Sequence, residues 1–193
     1  MDFCYVMIGT LKKYQNNCLL PSFIKQELNR ISNERIKNQK RASYGVLRAL
    51  VHKELNFDDD FSSVQRNENG KPHCERYCFS ISHSDELVAV AVSNSNVGID
   101  IEKVKKRRNI SSLQKIIVGQ NEGECGALSL EDLIRLWVKK EAKFKFDGGK
   151  TFIPNQIDTT TFPSFTNQVH YDHSDYFVCV VTGQKNVKFE LDF

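Results

Sequence analysis

The chain has 193 residues, 40% hydrophobic and 26% charged, an ordinary composition for a soluble globular protein of one sizeable domain or two small halves sharing a core. Its longest apolar run, LVAVAV (87–92), is strand-sized, so no membrane span is expected. The net charge of +3 is too mild to argue for nucleic acid by itself, and the six cysteines are scattered, which reads as free thiols in a cytoplasmic protein.

In chain order, MDFCYVMIGTLKK begins with an acid and lacks the basic start and small-residue exit of a signal peptide; residues 3–9 read as a first strand. Residues 20–56 read as helical, with Ile36, Tyr44, Leu47, Leu50 and Val51 at roughly helical spacing. FDDDFSS (57–63) closes that block, and NENGKP (67–72) is a turn cluster. YCFSISH (77–83), LVAVAV (87–92) and VGIDIE (97–102) follow as strands separated by short turns, an order that suggests an antiparallel meander. Cys74 and Cys78 lie four apart without the second pair that a zinc site needs. After the basic run KVKKRR (103–108), residues 111–119 and 129–146 read as helices, the second with Ser129 as N-cap and Gly148-Gly149 as its stop. Residues 156–162, 176–181 and 187–193 read as strands, and HYDH (170–173) as a polar loop. The fold class is therefore α+β, and the order of elements suggests two similar halves, 1–102 and 103–193.

Two segments place charge where apolar residues belong. In VGIDIE, Val97, Ile99 and Ile101 alternate with Gly98, Asp100 and Glu102, so two carboxylates share one strand face, about 6.6 Å apart. In LIRLWVKKEAKFK (133–145), Ile134, Trp137, Val138 and Ala142 form the buried stripe, and Glu141 and Lys145 fall on it too. A charge on a buried face is costly without a dedicated partner. A divalent cation held by oxygen ligands from Asp100, Glu102 and Glu141, with Lys145 facing phosphate oxygens, resolves the cost and suggests magnesium-assisted work on a phosphate ester or anhydride, with manganese as the alternative ion. FSISHS (79–84) offers Ser82 and His83, and the GKP turn offers Lys71, as phosphate donors. A serine-hydrolase reading fails for want of a nucleophile-elbow sequence.

GKP (70–72), FSISHS (79–84), VGIDIE (97–102) and LWVKKEAKFK (136–145), in that order, resemble the 4′-phosphopantetheinyl transferases, in particular the larger surfactin-synthetase-activating type, over roughly residues 70–150. Trp137, Lys140, Glu141, Ala142 and Lys145 all match, and GGKTF (148–152) matches more weakly. The resemblance implies a pseudo-twofold fold with coenzyme A between the halves, and transfer of its phosphopantetheine arm to a serine of an apo acyl- or peptidyl-carrier protein with release of adenosine 3′,5′-bisphosphate. It implies that Asp100, Glu102 and Glu141 bind magnesium and the pyrophosphate. Glu141 would also take the serine proton, and Lys145 would stabilise or protonate the leaving phosphate. His83, Ser82 and Lys71 would hold coenzyme A phosphates. Arg41, with Arg35 and Lys37 behind it, is the candidate for the adenosine phosphates, where the N-terminal segment is shortened. Glu122, with Glu124 as competitor, would match an acid supporting the metal site or the lysine. Asparagine is frequent in the family where Ser80 stands.

The acceptor is expected to be acidic, since KVKKRR lies beside the proposed site, and the chain to act as a monomer without nucleic acid or membrane. Two other readings are a non-catalytic module of the same fold that binds coenzyme A or nucleic acid, and a magnesium-dependent nucleotide hydrolase.

Overall fold

The computed structural model describes residues 2–105, 109–122 and 127–193. The end of the basic run (106–108), Glu124 and Cys125 lie outside the described residues. The elements are β1 (Cys4–Thr10), α1 (Leu11–Tyr14), α2 (Ser22–Arg30), α3 (Glu34–Leu55), β2 (Gln65–Arg66), β3 (Pro72–His73), β4 (Cys78–Ser84), β5 (Leu87–Ser93), β6 (Val97–Lys103), α4 (Ile110–Ile117), α5 (Leu130–Asp147), a 3₁₀ turn (Pro154–Gln156), β7 (Phe165–Tyr171), β8 (Ser174–Thr182) and β9 (Lys188–Asp192). The class is α+β.

One sheet has the order β4-β5-β1-β9 and a second has β6-β8-β7, with β2 and β3 as a separate small hairpin. Among the described residues, only the β1–β9 pairing is parallel. The first sheet is covered on one face by α3, where Leu47, Leu50 and Val51 meet Met7, Val88, Val90 and Val92. Its other face carries Val6, Ile8, Ala89 and Ala91 against Ile99, Ile101, Val178 and Val180 of the second sheet. Helix α5 covers the far side of that second sheet, with Ile134, Val138 and Ala142 on Phe177, Cys179 and Val181. The layers run helix, sheet, sheet, helix. This explains LVAVAV: a strand buried on both faces is apolar throughout. Its valines face the helix, and its alanines let the sheets approach.

Several expectations are corrected. VGIDIE does not continue the meander, because β6 pairs with β8, far along the chain, rather than with β5. The long helical block breaks at residues 31–33, where the Asn33 side chain caps α3 by accepting from the Arg35 and Ile36 amides. Ile36 is exposed rather than core. Residues 156–162 are not a strand, and HYDH is not a loop: β7 runs through it into β8 by a two-residue turn, Asp172-His173, both with positive φ. Ser129 and Gly148 cap α5 as expected, the glycine with φ of 66°. Among the described residues, no helix is long and apolar enough to cross a membrane.

Candidate active site

The close approach of α5 to β6 depends on Gly98. A Cβ there would sit 2.0 Å from the Ala142 carbonyl oxygen and 2.4 Å from the Phe146 backbone nitrogen, so no other residue fits. Two residues on, Asp100 shares that face and is therefore brought under the last turns of α5. Its Oδ1 accepts from Lys145 Nζ at 2.7 Å and from the Ser82 hydroxyl at 2.6 Å. Glu141, one turn before Lys145, lies 3.7 Å from that ammonium and, when protonated, donates to Asp100. Burial, reinforced by the Asp100 charge and opposed by Lys145, pushes the Glu141 carboxyl up to about 7. Glu102 adds to the same negative field, and its Oε2 accepts from the Ser84 hydroxyl at 3.0 Å. Asp100 is 2% exposed, and its Oδ2 is buried with no hydrogen-bond partner. Asp100, Glu102, Glu141 and Lys145, found from sequence by two different periodicities, thus lie together. Among the described residues, no group of three or more His, Cys, Asp or Glu side chains is arranged to hold a metal ion.

Beside this cluster opens a cleft of about 340 Å³. Lys40, Ser43 and Tyr44 of α3 form one wall, Phe79, Ile81 and His83 of β4 the floor, and Arg66, Lys71 and the end of α5 the remainder, including Lys145. His83 is surrounded by protein yet open to the cleft; desolvation, then the Lys145 charge, lowers its pKa. Lys71 reaches the cleft, but its ammonium donates to the carbonyls of Lys145 at 2.7 Å and Val97 at 3.2 Å, and burial lowers its pKa. It closes the C-terminal end of α5, together with Asn69 on the Gly148 carbonyl.

Two expected cleft residues are elsewhere. Ser82 is on the opposite face of β4 from His83, with the acids, as strand alternation requires. Arg41 lies outside the cleft lining and pairs with Asn38 and Glu34, because successive helical residues point about 100° apart and Lys40 takes the inward position. Arg35 is at the β4–β5 turn with Asp85 and Glu86, and Lys37 pairs with Glu34. Glu122 sits apart from Asp100: it binds Lys140 at 2.6 Å, and Lys140, fully buried, also donates to the Pro154 and Ile157 carbonyls. The ion pair ties α5 to the segment before it, and the two carbonyl contacts tie it to the segment after it. Lys103 and Lys105, at the described end of the basic run, both contact Asp85. Lys40 and Arg66 were missed from sequence. The signal was present in the helical phase of Tyr44 and Leu47, which puts Lys40 on the Tyr44 side.

No family model matches the chain. The 4′-phosphopantetheinyl transferase gsp of Aneurinibacillus migulanus is 32% identical over 127 residues, 62% of this chain and 53% of that protein. The chain is thus similar in sequence to a protein named a 4′-phosphopantetheinyl transferase. The 4′-phosphopantetheinyl transferase AcpT of Salmonella typhi is 29% identical over 153 residues, covering 74% of this chain and 78% of that protein, and AcpT of Salmonella typhimurium gives the same figures. The match therefore spans about half the length of the Aneurinibacillus transferase and about three quarters of the Salmonella ones.

Proposed function

We propose that the chain transfers the 4′-phosphopantetheine group of coenzyme A to a serine hydroxyl of an apo acyl- or peptidyl-carrier protein, leaving adenosine 3′,5′-bisphosphate. The observation that carries this reading is the unpartnered, buried Oδ2 of Asp100 beside Glu141 and Lys145, at the edge of a cleft lined by Lys40, Arg66 and His83. An all-oxygen donor set with an unsatisfied buried carboxylate oxygen fits a hard divalent ion, magnesium or manganese, held by Asp100, Glu102 and Glu141 with water and substrate completing the shell. Such an ion would supply charge neutralisation to the pyrophosphate.

The protein side chains then divide the work. Glu141, beside Asp100 and Lys145, accepts the proton of the carrier serine. The serine oxygen forms a bond to the phosphorus bearing the pantetheine arm, and the bond from that phosphorus to the bridging oxygen breaks. The electron pair leaves on the adenosine bisphosphate, where Lys145 faces the developing charge. His83, Lys40 and Arg66 hold the phosphates of coenzyme A in the cleft, in the place assigned from sequence to Arg41.

We place the two similar halves on either side of residues 94–96. The strand order β4-β5-β1 with α3 between β1 and β4 has its counterpart in β7-β8-β6 with α5 between β6 and β7. This supports a pseudo-twofold arrangement and moves VGIDIE, assigned from sequence to the first half, to the head of the second. One chain then supplies both sides of the site, as a monomer requires. Free thiols at Cys4, Cys18, Cys74, Cys78 and Cys179 suit a cytoplasmic setting. The acceptor is read as acidic from charge alone.

Incubation with coenzyme A, magnesium and several apo carrier proteins, followed by intact mass of the carrier, tests the reading. A phosphopantetheine-sized gain that vanishes with EDTA and in Asp100→Ala supports it. Coenzyme A binding without any gain on any carrier class overturns it in favour of a binding module.

A further inference from the structure

Strand β4 carries three serines on one face, Ser80, Ser82 and Ser84, all buried, and all directed at β6. Here the two sheets meet without backbone pairing, and hydroxyls bridge them. Ser80 accepts from the Ile99 amide at 3.1 Å. Ser82 donates to Asp100 Oδ1 at 2.6 Å and accepts from Lys145 Nζ at 3.0 Å. Ser84 donates to Glu102 Oε2 at 3.0 Å and accepts from the Lys103 amide at 3.1 Å.

A hydroxyl has one proton. Those of Ser82 and Ser84 face carboxylate oxygens, and their lone pairs face N–H groups. Neither proton is left for a phosphate oxygen. At Asp100 the consequence is specific. Ser82 and Lys145 both occupy Oδ1, which fixes the rotation of the carboxylate and leaves Oδ2 buried with no hydrogen-bond partner. Only a group that donates and accepts at once can hold an acid and an ammonium together in this way.

We propose that Ser82 and Ser84 are positioning residues, not substrate contacts: Ser82 orients Asp100 and Lys145, and Ser84 orients Glu102, so that the acids present oxygens to a divalent cation. This rests on the cation reading given above, and it reassigns Ser82 from the coenzyme A phosphates to the carboxylates. Residues that orient ligating carboxylates are worth about 10- to 100-fold in metal affinity.

The test compares Ser82→Ala, Ser82→Thr and Ser80→Ala. Manganese binding in the presence of coenzyme A is read by electron paramagnetic resonance, and coenzyme A binding in EDTA by calorimetry. The expected result is about 10- to 100-fold weaker manganese binding in Ser82→Ala, partial or full recovery in Ser82→Thr, and unchanged coenzyme A affinity in EDTA. Ser80→Ala, which removes an equally buried hydroxyl bonded to a backbone amide, should leave manganese binding intact. Loss of coenzyme A affinity in EDTA with manganese binding preserved would make Ser82 a phosphate contact and overturn the proposal. Equal losses in Ser80→Ala would reduce it to strand packing, and no change in Ser82→Ala would remove it. If the unaltered protein binds manganese but modifies no carrier, the transferase reading fails while the positioning role stands; if it binds no manganese, both fail.

Discussion

Replacing Gly98 with alanine tests how the acids are brought together. The new Cβ would lie 2.0 Å from the Ala142 carbonyl oxygen, and ordinary contact begins at 3.4 Å, so α5 must retreat from β6 by about 1.4 Å. Both atoms it meets are backbone, so no rotamer change relieves the clash. Such overpacking costs about 1–3 kcal/mol. For a chain of this size that lowers the melting temperature by about 2–12 °C. The same retreat would stretch the 2.7 Å contact between Lys145 and Asp100 beyond hydrogen-bonding range and draw Glu141 away with it. A displacement of about 1 Å in a reacting constellation costs about 100-fold in rate.

Thermal melting and carrier modification, measured side by side, read the two effects separately. Gly183→Ala serves as the control, since its Cβ would meet nothing within 4 Å. A Gly98→Ala protein that melts and transfers like the unaltered chain would refute the close-approach argument. One that melts lower but transfers at the normal rate would show that the site does not depend on the helix seat.

Glu141→Gln should lower carrier modification by about 100- to 10,000-fold while coenzyme A binding in EDTA is retained, because the amide fills the same space but cannot take a proton. In EDTA the same variant should also melt differently with pH. The Glu141 carboxyl is raised in the folded state from 4.5 to about 7, so native protein holds its proton more tightly than unfolded chain, and the stability this contributes at low pH is lost as pH rises from about 4.5 through 7. Unaltered protein and Glu141→Gln should therefore melt alike near pH 4.5, and the glutamine variant higher at pH 8; identical melting curves at pH 8 would contradict the shift. Lys140→Met leaves Glu122 without its ammonium in a buried pocket and should cost about 3–5 kcal/mol in urea unfolding. Lys40→Ala should weaken coenzyme A binding and Arg41→Ala should not, measured by calorimetry; the opposite ranking would restore the sequence assignment.

The parts of the site that were legible from sequence are those where one periodicity suffices. Asp100 and Glu102 share a strand face by period two, and Glu141 and Lys145 fall on the apolar stripe of α5 by helical spacing. What brings the two pairs together is Gly98, whose need for no side chain is visible only once a helix backbone lies 2.0 Å from its absent Cβ. The pairing of β6 with β8 was hidden because the partner lies about eighty residues later, while β5 stood next in sequence. The β7–β8 hairpin was hidden by its turn: Asp172-His173 takes the positive φ angles that Asn-Gly usually supplies, so the residues signalled a polar loop. Arg41 is the candidate from sequence because charge is read there without phase, and one step along a helix turns a side chain by about 100°. Ser82 reads as a phosphate donor because a hydroxyl in sequence has no direction; in the fold it faces Asp100.

The common thread is charge balance. Two carboxylates, Asp100 and Glu141, meet one lysine, Lys145, in a setting where Asp100 is all but removed from water. One ammonium does not neutralise two acids at close range in a low dielectric. The protein alone answers the excess with a proton, which is why Glu141 titrates near 7 rather than in the ordinary carboxylate range. A divalent cation would answer it too, and the buried Oδ2 of Asp100 is an oxygen that either could satisfy. A folding role alone gives no reason to keep that imbalance, since the buried Lys140 on the same helix has a carboxylate of its own, Glu122, at 2.6 Å.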